Sequence, residues 1–341
     1  MKSPSELDVA VLLIFFTRTE TLARTFDAIR KARPSKLFLY QDGPRNPEEA
    51  KKIEAAKLIV DDSQIDWECE VVRNYHEENS GAWASNFAAH QWAFSMADKC
   101  IVLEDDSTPV VSFFTFCKEM LDRYENDKRV TMISGFNFEE NTPDVPDDYF
   151  FTTVFSIWGW ASWSRVVLNW EIGYPVMDDC FNKRQLEQLV KRHHGRHEML
   201  KKMEKHHAAG KPIYETLFWS YNMLNSGLTI MPTRNLITNS GISEESAHFQ
   251  VQYRTLPKSA KQLMTMNNHE MTFPLKHPKY VIENVEYGQR IARLMAWGHP
   301  WIKIKRSVEE LFLNLRYGNF KRINQAIVHR LKKMSGNYDY I

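Results

Sequence analysis

The chain has 341 residues, of which 43% are hydrophobic and 26% charged, a globular composition that excludes a disordered polymer. Its 44 Lys and Arg against 43 Asp and Glu leave a net charge of +1, so no global field favours a polyanionic partner. Val9 to Phe16 is too short an apolar run to span a bilayer, which takes about 20 residues.

Cys69, Cys100, Cys117 and Cys180 form no C-x-x-C pair and no zinc spacing. Cys100 and Cys117 lie in apolar stretches and read as small core residues. Cysteine usage predicts a reducing compartment. The first eight residues lack a signal-peptide pattern, which predicts a soluble cytoplasmic protein that at most touches a membrane.

Val9 to Phe16 predicts a strand buried on both faces. Thr19 is the expected cap of a helix that buries Leu22, Phe26 and Ile29. Lys36 to Tyr40 predicts a second strand, closed by the turn signal Asp42-Gly43-Pro44. A helix over 47–60, a strand over 67–72 and a helix over 84–98 follow. Lys99 to Leu103 then reads as a strand that runs straight into Glu104-Asp105-Asp106. Residues 113–124 predict a helix, 130–133 a strand, 139–148 a loop, and 183–209 charged helix.

Alternating strands and helices predict a doubly wound, mostly parallel α/β sheet. Ligands of such sheets gather past the carboxyl ends of the strands. Arg18, Asp42 and Asp106 all fall just past expected strand ends, along one rim.

Three acids in a row after a buried strand are costly unless a positive group sits among them. A hard divalent ion held through carboxylate oxygen is one partner, and it would bridge the phosphates of a nucleoside diphosphate. A solvated acidic turn that caps the next helix is the other reading.

Val102 to Asp106, with Pro109 and Phe113-Phe114, resembles the metal-binding motif of the N-acetylglucosaminyltransferase I family and of its bacterial surface-polysaccharide relatives. Phe16-Thr17-Arg18, Gln41-Asp42-Gly43, the Gly-Trp segment Ser156 to Trp163, Gly227 to Asn239 and Phe273 to Pro278 resemble that family in the same order. The resemblance spans most of residues 9–280 and implies a GT-A fold. It further implies Mn2+ (or Mg2+) on Asp106, with Asp105 on the ribose or base and Glu104 beside them. Arg18, Asp42, Trp158, Gly159, Asn239 and His248 are the other expected donor contacts. UDP is the implied nucleotide, and inversion the implied stereochemistry. In the relatives a Trp-Asp pair precedes the segment at Gly227; here it is Tyr214-Glu215. Glu215 is thus the expected general base toward the acceptor hydroxyl. His90 stands one position off the family's histidine contact.

The expected layout is a catalytic domain over 1–296, in a nucleotide-binding half to about 135 and an acceptor half beyond, then a basic amphipathic tail over 297–341. The tail carries nine Lys and Arg between Lys303 and Lys333 against Glu309 and Glu310. Leu311, Leu315, Ile323, Ile327 and Leu331 recur at helical spacing. Attraction to an anionic membrane and packing on the catalytic domain are both open for it. Expected partners are a nucleotide-sugar donor and a glycan or lipid-linked glycan acceptor. The tail carries no recognised nucleic-acid motif, so no nucleic acid is expected. His193, His194, His197, His206 and His207 form a dense patch that reads as a solvated or acceptor-facing surface rather than a metal site. Two other classes compete. A sugar nucleotidyltransferase would carry glycines after the first strand, where this chain has Phe16 to Glu20. A non-catalytic glycan-binding or scaffolding descendant is the second.

Overall fold

The computed structural model describes residues 2–191, 196–239 and 253–334. In chain order the elements are β1 (Leu7–Phe15), α1 (Thr19–Ala32), β2 (Pro34–Gln41), α2 (Pro47–Ile59), β3 (Glu70–Tyr75), α3 (Ala82–Phe94), β4 (Lys99–Glu104) and β5 (Ser107–Pro109). Then come α4 (Val111–Arg123), β6 (Val130–Ser134), β7 (Tyr149–Thr152), β8 (Trp160–Trp163), α5 (Ser164–Val167), α6 (Cys180–Lys191), α7 (Arg196–Ala208) and α8 (Tyr214–Asn225). The chain continues through β9 (Leu228–Pro232), β10 (Ile237–Asn239), α9 (Lys258–Met264), α10 (Val285–Leu294), α11 (Pro300–Arg316) and α12 (Phe320–Met334).

Eight strands form one sheet in the order β3-β2-β1-β4-β8-β6-β9-β7. β8 and β7 run antiparallel to their neighbours, and the other six share one direction. The expected α/β fold with a mostly parallel sheet and flanking helices is therefore present. The sheet takes strands from both sides of residue 135, with β8 inserted between β4 and β6. β5 and β10 pair antiparallel in a separate two-stranded ribbon.

Val11, Leu12 and Leu13 are consecutive and wholly buried, so both faces of the sheet are covered there. Each such aliphatic side chain contributes roughly 1.5–3 kcal/mol of transfer free energy. Helix α1 packs with α2 and α4, while α3 packs with α5 and α8. Cys100 and Cys117 are buried in this core.

Helix α1 begins one residue earlier than its expected cap requires. Arg18 holds the N-cap position and Thr19 is already helical; no side chain caps the helix. Strand β3 starts three residues after the apolar signal at Trp67. That indole is buried beneath β2, where its Nε1 donates to the Pro34 carbonyl at 2.8 Å. No helix among the described residues is long and apolar enough to cross a membrane.

Candidate functional site

β1 to β3 are laid down successively in one direction, and β4 then joins the other side of β1. The strand order reverses at the β1–β4 boundary, where an open α/β sheet forms its ligand crevice. Ile14 of β1 pairs with Glu104 of β4, so both strands end at the same level. The loop bearing Arg18 and the turn bearing Asp105 and Asp106 therefore meet across this boundary.

Arg18 Nη1 lies 2.6 Å from Asp106 Oδ2 and 3.6 Å from Asp105 Oδ1. The Phe16 amide donates to Asp105 Oδ2 at 3.1 Å. Asn239, at the end of β10, donates from Nδ2 to Asp106 Oδ1 at 3.0 Å. Thr25 of α1 donates to the Asp105 and Ser107 carbonyls at 3.3 and 3.1 Å, pinning the acidic turn to that helix. The Tyr214 hydroxyl, at the start of α8, donates to Glu104 Oε1 at 2.9 Å.

Glu215 follows Tyr214 in the first turn of α8 and lies close enough for its charge to act on Glu104. Arg18, Glu104, Asp105, Asp106, Asn239 and Glu215 thus gather in one place although 221 positions separate the first from the last by sequence number. His248 lies outside the described residues.

The cluster holds more negative charge than Arg18 offsets. Burial, first, and then Asp106, Asp105 and Glu215 push the Glu104 carboxyl up to about 8, against the Tyr214 hydroxyl bond. Burial and then Asp106 push Asp105 up to about 7, against Arg18 and the Phe16 amide. Burial beside these acids also holds the Tyr214 phenol well above its ordinary range, so it remains a donor.

A pH effect on stability follows. Glu104 ionises near 4.5 in the unfolded chain but holds its proton to about 8 in the fold. The fold binds a proton that the unfolded chain releases across this window, so the contribution of Glu104 to stability falls as pH rises through it. Glu104→Gln should raise the melting midpoint at pH 9 and leave it nearly unchanged at pH 4. An equal effect at both pH values would refute this account of the cluster.

A divalent ion of the magnesium or manganese kind takes one or two carboxylates and completes its shell with substrate phosphates and water. Asp106 beside Asp105, in a cluster short of positive charge, fits that demand. Among the described residues no three His, Cys, Asp or Glu side chains form a complete protein cage.

Asp42 follows β2 on the same rim, but its carboxylate is committed to a loop. Oδ1 accepts from the Gly43 amide, the Ser80 amide and the Ser80 hydroxyl at 3.1, 3.0 and 2.9 Å. Oδ2 accepts from Asn79 Nδ2 and the Gly81 amide at 3.0 and 3.1 Å. Gly43 permits this closure, because a Cβ there would stand 2.4 Å from the Glu78 carbonyl carbon. Asp42→Ala orphans several of these donors and should cost about 2 kcal/mol, visible as a lowered midpoint in thermal melts.

Gly159 has φ +63°, in the left-handed region, and a Cβ there would lie 2.0 Å from Ile237 Cδ1. The missing side chain lets β10 pass over this turn and deliver Asn239 to Asp106. Trp158 is half-buried and packs edge-on against Phe136 at 4.7 Å. Trp160 and Trp163 are buried core residues.

His90 is also buried, in an aromatic stack with Trp160, Trp170 and Tyr214, the last ring 4.5 Å away. Burial lowers it to about 4, so it is neutral and braces Tyr214. Of the histidine patch, His193 and His194 lie outside the described residues. His206 bonds Thr216 at 2.9 Å, and His207 contacts Asp178 at 3.1 Å.

No local sequence pattern assigns a contact to Tyr214 or Thr25 or ties Asn79 to Gly81 to the Asp42 carboxylate. Tyr214 was adjacent to a proposed base, and Asn-Ser-Gly is a turn signal that opens α3. Neither signal names the partner.

No protein-family model matches the chain, and no curated protein matches it. Several solved structures share part of its outline. A mannosyltransferase from Pyrobaculum calidifontis, in complex with GDP-Man and Mn2+, is 9% identical with a TM-score of 0.34 over 49% of this chain and 48% of that one. Mouse xyloside xylosyltransferase 1 is 15% identical with a TM-score of 0.36 over 65% of this chain and 84% of that one. A 4-diphosphocytidyl-2C-methyl-D-erythritol synthase from Anaerococcus prevotii is 9% identical with a TM-score of 0.29 over 50% of this chain and 76% of that one. The chain spans about half the length of the mannosyltransferase. Likeness at this level carries no residue-by-residue correspondence.

Proposed function

We propose that the chain is a metal-dependent glycosyltransferase. It takes a nucleotide-sugar, UDP-linked on the family resemblance, and passes the sugar with inversion to a hydroxyl of a glycan or lipid-linked glycan. The observation that carries this reading is the meeting of Arg18 with Asp105 and Asp106 across the β1–β4 crevice, with Glu215 near enough to Glu104 for its charge to act there.

Asp106 would hold the divalent ion, with Asp105 toward the ribose or base of the nucleotide. When bound, such an ion offsets charge on a departing diphosphate. Arg18 offers that diphosphate a planar guanidinium, suited to phosphate oxygens. Glu104, whose Oε1 accepts from the Tyr214 hydroxyl, can also accept a hydrogen bond from a sugar hydroxyl. Glu215 takes the proton from the acceptor hydroxyl as its oxygen bonds to C1 of the sugar. The bond from C1 to the phosphate oxygen breaks in the same displacement, and its electron pair leaves with the nucleoside diphosphate. No covalent enzyme intermediate is required.

Thermal melting with UDP, GDP, CDP, dTDP and their sugars, with Mn2+ or with a chelator, tests the donor site. A ligand at about 100 times its dissociation constant stabilises the fold by about 2.7 kcal/mol. One nucleotide should raise the midpoint only when metal is present. No shift with any nucleotide under either condition would remove the basis for this reading and favour a non-catalytic role.

A further inference from the structure

The carboxy-terminal helices are built the wrong way round for surface helices of a soluble domain. Such helices normally turn their apolar stripe inward. On α11, Trp301, Ile304, Val308, Leu311, Phe312 and Leu315 recur at helical spacing, and all are exposed. Trp301 is 80% exposed, Phe312 62% and Val308 61%. The inward face is partly polar instead. Asn314 is buried there, and Arg306 donates to the Leu294 carbonyl. On α12, Phe320 and Ile327 continue the pattern at 61% and 49% exposure. Soluble monomers rarely expose contiguous apolar surface beyond a few hundred Å2 without a purpose.

The charge around the stripe identifies what covers it. At 3.6 residues per turn, Lys305 and Arg316 fall along one border of the stripe, and both are exposed. Lys321 is exposed at the start of α12. The two acids of the segment are engaged elsewhere. Glu309 accepts from the Lys258 amide at 2.9 Å, and Glu310 pairs with Arg322 at 3.4 Å. An apolar stripe with a basic border is the composition of a helix lying in a bilayer interface. A protein interface instead depletes lysine toward its core.

We propose that α11 and α12 dock on an anionic lipid bilayer, with the stripe from Trp301 to Leu315 entering the acyl boundary and Lys305, Arg316 and Lys321 meeting lipid phosphates. The proposal goes beyond the transfer chemistry and does not depend on it.

Sedimentation of the full chain with vesicles tests it. The chain should pellet with vesicles containing about one-third phosphatidylglycerol, stay in solution with pure phosphatidylcholine, and lose binding at high salt. Lys305→Glu with Arg316→Glu should weaken partitioning by roughly tenfold or more. Trp301→Ser with Phe312→Ser should abolish it. Unchanged circular dichroism melting midpoints in both double variants show that the fold is intact. Failure to pellet with the anionic vesicles overturns the proposal. So does a dimer that the Trp301→Ser and Phe312→Ser pair dissociates, which would assign the stripe to a second copy of this chain.

Discussion

Asp106→Ala should abolish the metal-dependent rise in melting midpoint with nucleotide and lower kcat/KM by at least about hundredfold, equivalent to roughly 2.7 kcal/mol. The size follows from where Asp106 stands. It is the last acid past β4, the closest partner of Arg18, and the point to which Asn239 is tied. Its loss removes the carboxylate proposed for the ion and leaves Arg18 with Asp105 at 3.6 Å.

The ligand-free fold should change little in the same variant, because two effects oppose. Arg18 and Asn239 lose a partner, which destabilises. Asp105 and Glu104 lose a neighbouring charge that disfavours their ionisation, which stabilises. The loss of binding is therefore separable from unfolding. Asp106→Asn keeps the shape and removes the charge, and it should fail in the same way. An alanine variant that still responds to nucleotide plus metal would sink the assignment.

The sequence revealed strand ends better than it revealed partners. β1, β2 and β4 each contain a run buried on both faces, Val9 to Phe15, Leu37 to Tyr40 and Cys100 to Leu103, and such runs are legible because every residue in them is apolar. Since those strands are neighbours, the residues after them had to share a rim. β7 and β8 have only four residues each, too few for periodicity to distinguish from loop. Both are fixed by pairing with strands distant in sequence.

Trp67 misled the boundary of β3, because burial alone signals strand and the indole is buried outside one. Asp42 was legible as a rim residue. That five donors hold its carboxylate depends on how residues 79–81 fold back, which no local pattern encodes. The tail shows the same limit. Helical spacing says that Leu311 and Leu315 share a face, and only the fold shows that this face points outward.

Glu215→Gln should leave metal-dependent nucleotide binding intact and lower kcat by about 10²–10⁴-fold, the range for a lost general base. The variant keeps the length and hydrogen-bonding capacity of the side chain but cannot take a proton. The structural ground is proximity. Tyr214 is anchored to Glu104 by its hydroxyl, so the next residue in the first turn of α8 is carried to the edge of the acidic cluster. The same proximity supplies a check that needs no acceptor. The charge of Glu215 is one of the causes that raise Glu104, so Glu215→Gln should move the Glu104 titration downward. A fallen kcat with a shifted titration supports a base at the cluster. Full turnover would end that role for Glu215, and an unmoved titration would show that α8 does not hold it near Glu104.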